Sequence, residues 1–487
     1  MVPDILSSPH LGAFFVGGRW VAPLGEQRWQ VINPAREEVI ARIPLGSSAD
    51  VDRAVDAART AFPKFSLTTL AERVALLRRI LAVYDTRREE LAWTMTLEMG
   101  APIRRTRDYM TVVGRRHLEE IIRVLESRSF GDSRGTTRIL REPIGVCGLI
   151  TPWNAPITQV LSKVAPALGA GCTMVLKPSE ISPLDAVLLA EILAEAGVPA
   201  GVFNLVHGDG PTVGEALARH PDVDMISFTG STRAGIAVAK AAADTVKRVH
   251  QELGGKSANV LLDDVDLEQA VRQGVLGCFA NSGQSCVCPG RMLVPAALFD
   301  RAVAIAKQTA EAVRVGDPRS EETELGPLVS RRQFDYVQAL IASAIREGAT
   351  LVTGGLGREA RTNIGYFARP TVFAGVSPAM TVARDEIFGP VLTMMGYQTE
   401  EEAIEIANDT IFGLAAHVQS SDPDRAAAIA RRMRAGYVYL NYAAPDYSAP
   451  FGGYKRSGNG REYGEWGLEA FLEHKTIVGC RPDRGPL

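Results

Sequence analysis

Between residues 144 and 262 short apolar runs alternate with longer helical ones, and this alternation constrains the fold more than any other feature of the chain. IGVCGLI (144–150), CTMVLKP (172–178), VFNLVHG (202–208) and MISFTG (225–230) read as buried strands. ITQVLSKVAPALGAG (157–171), PLDAVLLAEILAEAG (183–197), EALARH (215–220) and Ser231–Ala243 read as the helices between them, the first ending at Gly169 or Gly171. Apolar strands separated by helices argue for a parallel sheet covered on both faces. The expected class is therefore α/β, with a doubly wound sheet. Helical periodicity is also clear over Ala49–Phe62 and Leu70–Met99. Strand–helix alternation resumes from 289 to 440, which predicts a second α/β domain. At 487 residues the chain exceeds the size at which one hydrophobic core stops growing.

Two segments break the pattern. Ser127–Arg141 is polar, carries Gly131 and Gly135, and reads as a projecting β-hairpin; His474–Cys480 reads as a further strand. A net charge of -3 gives no basic surplus for nucleic acid or a membrane surface. No apolar run is long enough to span a bilayer, and the N-terminus lacks the basic and long apolar regions of a signal peptide. Six cysteines are too sparse for a disulfide scaffold. Cys286 and Cys288 stand in C-x-C spacing without a second ligand pair, so no metal site is expected. The thiols read as reduced, in a cytoplasmic protein.

Three segments carry residues suited to chemistry. NSGQSCVCPGR (281–291) surrounds its thiols with small residues, which leaves room for a substrate; on this ground Cys286 and Cys288 are nearly tied. QELGGKSANV (251–260) sets Glu252 before a Leu-Gly-Gly turn, where apolar walls can raise a carboxyl pKa. TPWNAP (151–156) holds Asn154 just past a buried strand, between two prolines, as a rigid amide donor. Each has a bland alternative: Glu252 as a surface residue at a helix end, Asn154 as a turn former. No G-x-G-x-x-G is present. Instead MISFTG runs into GSTRAGIAVAK, where a pyrophosphate can sit on helix N-terminal N–H groups and the Ser231 hydroxyl, with Gly230 permitting close approach.

Together these segments resemble the aldehyde dehydrogenase superfamily. The resemblance rests on TPWN (151–154), KPSE (177–180), FTGS (228–231), ELGGKS (252–257), GQSC (283–286), DEIFGPV (385–391) and PFGGYKRSGNGRE (450–462), with LEMGAP (97–102) nearer the start. It implies that Cys286, rather than Cys288, attacks an aldehyde carbon. Asn154 and the Cys286 N–H would hold the thiohemiacetal oxygen, and Glu252 would activate water against the thioester. Lys163 and Glu462 are associated in relatives with proton relay behind that base. The implied cofactor is NAD. Trp153 and Ser231 are expected at its phosphates, Lys177 and Glu180 at the adenosine ribose, Glu386 at the nicotinamide ribose and Phe388 near the nicotinamide. Thr151, Pro152, Ser179, Gly210, Gly230 and Leu253 complete the expected cofactor surface. Glu180 accepts from a ribose 2′-OH but repels a 2′-phosphate, which predicts NAD over NADP.

The resemblance also places a substrate tunnel at Ala155, Gln159, Ala280, Val287 and Phe451, with the loop Tyr442–Phe451. Small Ala155 and Ala280 predict a wide tunnel and a bulky, aromatic or branched aldehyde. No Arg or Lys falls on these segments, which argues against a strongly anionic substrate. Two rival readings are a CoA-acylating relative, against which Glu252 argues, and a non-catalytic binding protein on the same fold. The expected organisation is an NAD-binding domain (1–125 and 144–253) and a catalytic domain (254–455). An oligomerisation element with C-terminal tail (126–143 and 456–487) completes it, in a homodimer or homotetramer.

Overall fold

The computed structural model describes residues 4–360 and 362–480. Its first sheet has eight strands, five of them parallel. Across the sheet these run Arg248–Glu252, Met225–Thr229, Val146–Ile150, Thr173–Lys177 and Phe203–Leu205. Val146–Ile150, first of the five in the chain, lies in the middle, so the winding reverses beside it. Every residue of Val146–Ile150, Thr173–Lys177 and Met225–Thr229 is buried, as apolar strands covered on both faces require. Phe14–Val16 and Arg19–Val21 extend one edge antiparallel, and Gly458–Asn459 extends the other.

The helix Pro156–Ala170 is buried along its whole length, packed among Leu70–Met99, Thr111–Ser127 and the sheet. Gly171 ends it in the left-handed region (φ +91°), which deciding between Gly169 and Gly171 required. Leu70–Met99 has the bounds its periodicity predicts: Thr69 and Glu72 form a capping box at one end, and Gly100 (φ +83°) stops the other.

Beyond Glu252 the chain crosses into the second sheet through only five residues before the strand Ala258–Leu261. That sheet has seven strands, and Ala258–Leu261 again sits inside it, between Arg291–Pro295 and Ala415–Gln419. Val391–Tyr397 and Thr371–Ala374 follow on one side and Tyr437–Leu440 on the other, with Thr350–Thr353 antiparallel at the edge.

Ser127–Arg141 contains the expected hairpin: Gly131–Arg134 pairs with Thr137–Pro143 through a two-residue turn with Gly135 at φ +61°. Leu472–Val478 adds a third strand. Residues 458–459, grouped with this element in the sequence reading, instead pair with Arg248–Glu252, and the helix Gly464–Glu469 packs on Pro156–Ala170. The expected boundary segments 1–3 and 481–487 lie outside the described residues. Among the described residues no helix is long and apolar enough to cross a membrane, and no cluster of side chains is disposed to hold a metal ion.

Candidate active site

The residues expected to bind a cofactor collect at the carboxyl ends of the parallel strands, the usual place for a ligand on an open α/β sheet. Thr151 follows Ile150, which is level with Lys177 on one side and Phe228 on the other. Gly230 follows Thr229, which is level with Glu252, and its N–H donates to the Glu252 carbonyl (3.0 Å). Ser231 caps the eleven-residue helix Thr232–Ala242, its Oγ accepting from the Ala234 N–H. Lys177 Nζ pairs with Glu180 at 3.2 Å, and the Ser179 hydroxyl accepts from the Ile181 N–H. Gly210 opens the turn Gly210–Gly214, whose last residue approaches the Lys177 side chain. Pro152 lies between Thr151 and Trp153, and Leu253 fills the space left by the missing Cβ of Gly235.

The second sheet supplies the other wall. Trp153 meets Phe388 edge to face with ring centroids 5.3 Å apart. Glu386 accepts from the Gly255 N–H (2.9 Å), and burial pushes its carboxyl up to about 7. Phe388 has a left-handed backbone (φ +55°), held by Gln333 Nε2, which donates to the Ile387 and Phe388 carbonyls. Sequence reasoning missed Gln333 and also Tyr336, whose hydroxyl donates to the Glu386 carbonyl. The donor set fits a dinucleotide. A capped helix N-terminus suits phosphates, Glu180 and Glu386 suit ribose hydroxyls, and Thr151 Oγ1 and Thr229 Oγ1 are buried without partners at the strand ends.

Gly254 and Gly255 hold the two walls together. A Cβ on Gly254 would fall 2.4 Å from the Glu386 carboxylate, and one on Gly255 would fall 2.3 Å from the Cys286 carbonyl. Close packing therefore requires glycine at both positions. The cysteine loop is turned by Asn281, Ser282 and Gly283, all with positive φ. Gly283 abuts Gly389, where a Cβ would lie 2.0 Å from the carbonyl oxygen.

Cys286 lines a cavity of about 80 Å³ together with Asn154, Ala155, Gln159, Val287 and Phe451. Cys288 does not: its Sγ turns toward the Cys278 carbonyl (3.3 Å) and thiol (3.8 Å) at the end of the helix Leu267–Phe279. Of the two thiols nearly tied by composition, only Cys286 lines the cavity. Ala280 is likewise absent from the cavity wall, because the left-handed turn brings Asn281 there instead. Asn154 Nδ2 donates to the Gln284 carbonyl (3.2 Å), and the Asn154 backbone carbonyl accepts from Asn281 Nδ2 (2.9 Å). An amide nitrogen carries two N–H groups, so one remains for the cavity.

The expected wide tunnel is not what Ala155 creates. Tyr109, Met110 and Val113 form one wall, and Tyr437, Tyr439, Tyr447 and Tyr463 narrow the rest. Phe451 stacks on Tyr463 (4.9 Å). Tyr447 and Phe451 belong to the loop named from the sequence, whereas Tyr109, Tyr437, Tyr439 and Tyr463 come from segments that the motifs do not cover. No Arg or Lys falls on the segments named from the sequence, but Arg105, from outside them, lies on the wall.

Glu252 is buried and stands off the cavity, both oxygens without a hydrogen-bond partner. Burial, and then the negative charge of Glu462, hold its carboxyl well above the usual carboxylate range; Lys163 opposes this. His250 Nε2 is 3.5 Å away, but burial pushes that imidazole down to about 3, so it brings no charge. Behind Glu252, buried Lys163 pairs with Glu462 and bonds the Ser227 hydroxyl (3.1 Å), while the Ser162 hydroxyl donates to Glu462 (3.2 Å). Glu462 and Phe451 exchange backbone hydrogen bonds (2.9 and 2.7 Å), which ties this cluster to the cavity wall. Burial, with Glu386 and Glu252 adding to it, raises the Cys286 thiol above its ordinary range.

This arrangement agrees with comparisons to known proteins. The model of the aldehyde dehydrogenase family matches residues 20–477. The chain belongs to the aldehyde dehydrogenase family. It is 52% identical to 3-succinoylsemialdehyde-pyridine dehydrogenase from Pseudomonas sp. over 96% of this chain and 98% of that one. A cysteine-to-alanine mutant of aldehyde dehydrogenase C from Pseudomonas syringae, solved with NAD+ and octanal, superposes with a TM-score of 0.97. That chain is 53% identical, with 98% of each covered. Aldehyde dehydrogenase from Mycobacterium tuberculosis, complexed with NAD+, superposes at 0.94 with 39% identity, covering 96% of this chain and 98% of its own.

Proposed function

We propose that this enzyme oxidises an aldehyde to the carboxylic acid, with NAD as hydride acceptor, through a cysteine thiohemiacetal and thioester. The observation that carries the reading is that the Cys286 thiol and the spare Asn154 N–H face one cavity, with the unpaired Glu252 carboxyl buried off it. Cys286 Sγ attacks the aldehyde carbon. Asn154 Nδ2 and the Cys286 N–H hold the oxygen, whose negative charge grows only during attack, where stabilisation raises rate. Glu252 takes a proton from the water that cleaves the thioester. Its raised pKa makes the ionised carboxylate a stronger base toward that water than an ordinary carboxylate. Lys163 and Glu462 set the charge behind it. Trp153, Ser231, Lys177, Glu180, Glu386 and Phe388 bind and orient the cofactor.

The cavity is narrow and aromatic, which favours an aldehyde with a flat or extended body over a branched one. The octanal of one relative and the pyridine compound named for another are consistent with this. The domain reading assigns the first sheet to cofactor binding and the second to catalysis. The exposed face of Leu472–Val478 suits association with another subunit. Six free thiols suit a reducing compartment such as the cytoplasm.

NADH formation against an aldehyde panel, with and without CoA and beside Cys286→Ala, tests the reading. CoA-independent turnover that is lost in the variant is expected. A requirement for CoA, or equal turnover in the variant, would overturn it.

A further inference from the structure

The segment Ile103–Met110 carries three arginines with different fates. Arg104 is exposed. Arg107 binds Glu89 through both Nε and Nη2 and reaches Glu321 with Nη1 (2.7 Å). Arg105, two residues earlier, turns inward onto the cavity wall and has no side-chain hydrogen bond or ion pair among the described residues. Its Nε is buried without a partner. Among the described residues it is also the only charged side chain on that wall, which carries no carboxylate from them. A five-residue π-turn, Thr106–Met110, follows directly. Its extra residue per turn changes which side chains face inward, as such turns often do at functional sites.

The guanidinium does rest over the Tyr109 ring, 4.9 Å from its centroid. A cation–π contact of this kind stabilises the charge but accepts no N–H bond, so the donors remain unspent. A partly desolvated guanidinium without an acceptor is costly unless something else supplies the acceptor. Tyr109, under the Arg105 guanidinium, is 39% exposed, and both residues share the cavity wall with Cys286. A chain bound with its aldehyde at the thiol can turn its other terminus to Arg105. The Tyr109 and Tyr447 hydroxyls, 3.1 Å apart, stand on the same wall.

We infer that Arg105 selects aldehydes bearing a carboxylate at the end remote from the reacting carbon, which it receives through its planar, two-pronged donor face. This rests on the aldehyde-oxidation reading above and names the substrate class for it.

The test compares ω-oxocarboxylates with alkanals of matched length, 4-oxobutanoate with butanal through 8-oxooctanoate with octanal, by NADH formation. The native enzyme should favour the oxocarboxylate at one chain length, at which the carboxylate reaches the guanidinium. In Arg105→Met the ratio of kcat/KM for oxocarboxylate over alkanal should fall about 10- to 100-fold, through KM rather than kcat. Arg105→Lys should recover part of it, because lysine keeps the charge and loses the fork. Binding of both ligands to Cys286→Ala protein, with and without the Arg105 change, gives the same ratio free of chemistry and checks that the variants fold. A native preference for the alkanal at every length, or equal losses on both substrates, would overturn the inference while leaving alkanal oxidation, and so the reading above, intact. Absence of NADH from every aldehyde would overturn both.

Discussion

Two regions meet at Cys286 and are built in opposite ways. The first-sheet side of the cofactor site takes one short segment from the end of each of four neighbouring parallel strands, so those residues stand in place once that sheet forms. The substrate cavity draws walls from helix residues 105–113, the turn 281–287, the strand Tyr437–Leu440 and the loop beyond it, and Tyr463. These are adjacent only after both sheets have packed. The candidate reacting groups lie in short segments at strand ends and turns, whereas the wall that bounds the aldehyde is assembled from several elements by long-range packing. Changes at the reacting centre should act on all aldehydes alike, whereas changes in the cavity wall should re-rank them.

The largest expected effect is at the junction itself. Cys286→Ala should lower kcat at least about 10⁴-fold for every aldehyde, as loss of a nucleophile does, while NAD titration stays unchanged. Cys288→Ala, directed toward Cys278, should change kcat by no more than about threefold on the ordinary scale of substitutions outside a catalytic unit. A large loss in both would mean that the two thiols act as one unit. Next is Asn154→Ala, expected to cost about 10²–10³-fold in kcat with the aldehyde ranking preserved. A re-ranking there would assign Asn154 to selection and dissolve the division.

The same division governs what could be read from the sequence. The strands at 144–150, 172–178 and 225–230 were legible because burial on both faces leaves an apolar run. The helix Leu70–Met99 was legible because its caps and period agree. Asn154, Glu252 and Cys286 lie in short motifs at strand ends or turns. Ala280 was misplaced because Asn281 and Ser282 adopt left-handed backbones that glycine or asparagine patterns alone do not announce. Arg105, Tyr109, Tyr437, Tyr439 and Tyr463 carried no local signal. Arg105 faces inward beside a π-turn whose register differs from the helical period, and Tyr437 and Tyr463 become neighbours of Cys286 only through tertiary packing.

A smaller effect tests the charge behind Glu252. The negative charge of Glu462 helps hold the Glu252 carboxyl up, and Lys163 pulls it down. Glu462→Gln removes the first influence and frees the second, so the Glu252 pKa should fall. Glu252 acts as base only when ionised, so the acid limb of the pH–kcat profile should move to lower pH. Relative to the plateau, the rate at the foot of that limb would rise. A limb that stays in place would detach the Lys163–Glu462 pair from the base.

The smallest expected effect lies furthest from the aldehyde. Glu180 is partly exposed and pairs with Lys177, so solvent screens much of its field. A 2′-phosphate placed beside it still meets a like charge, with a repulsion of about 1–4 kcal/mol at ~4 Å before that screening. Glu180→Gln removes the repulsion and frees Lys177 to face the phosphate. The NADP/NAD ratio of kcat/KM should rise about tenfold, equivalent to about 1.4 kcal/mol. NAD should remain preferred in the native enzyme, and a native ratio above one would contradict the role given to Glu180. The order in which aldehydes are preferred should not change in the variant, since Glu180 belongs to the strand-end region and touches none of the cavity wall. If the order did change, cofactor placement would itself shape the cavity, and the separation between chemistry and selection would have to be redrawn through Trp153, whose chain neighbour Asn154 lines the cavity.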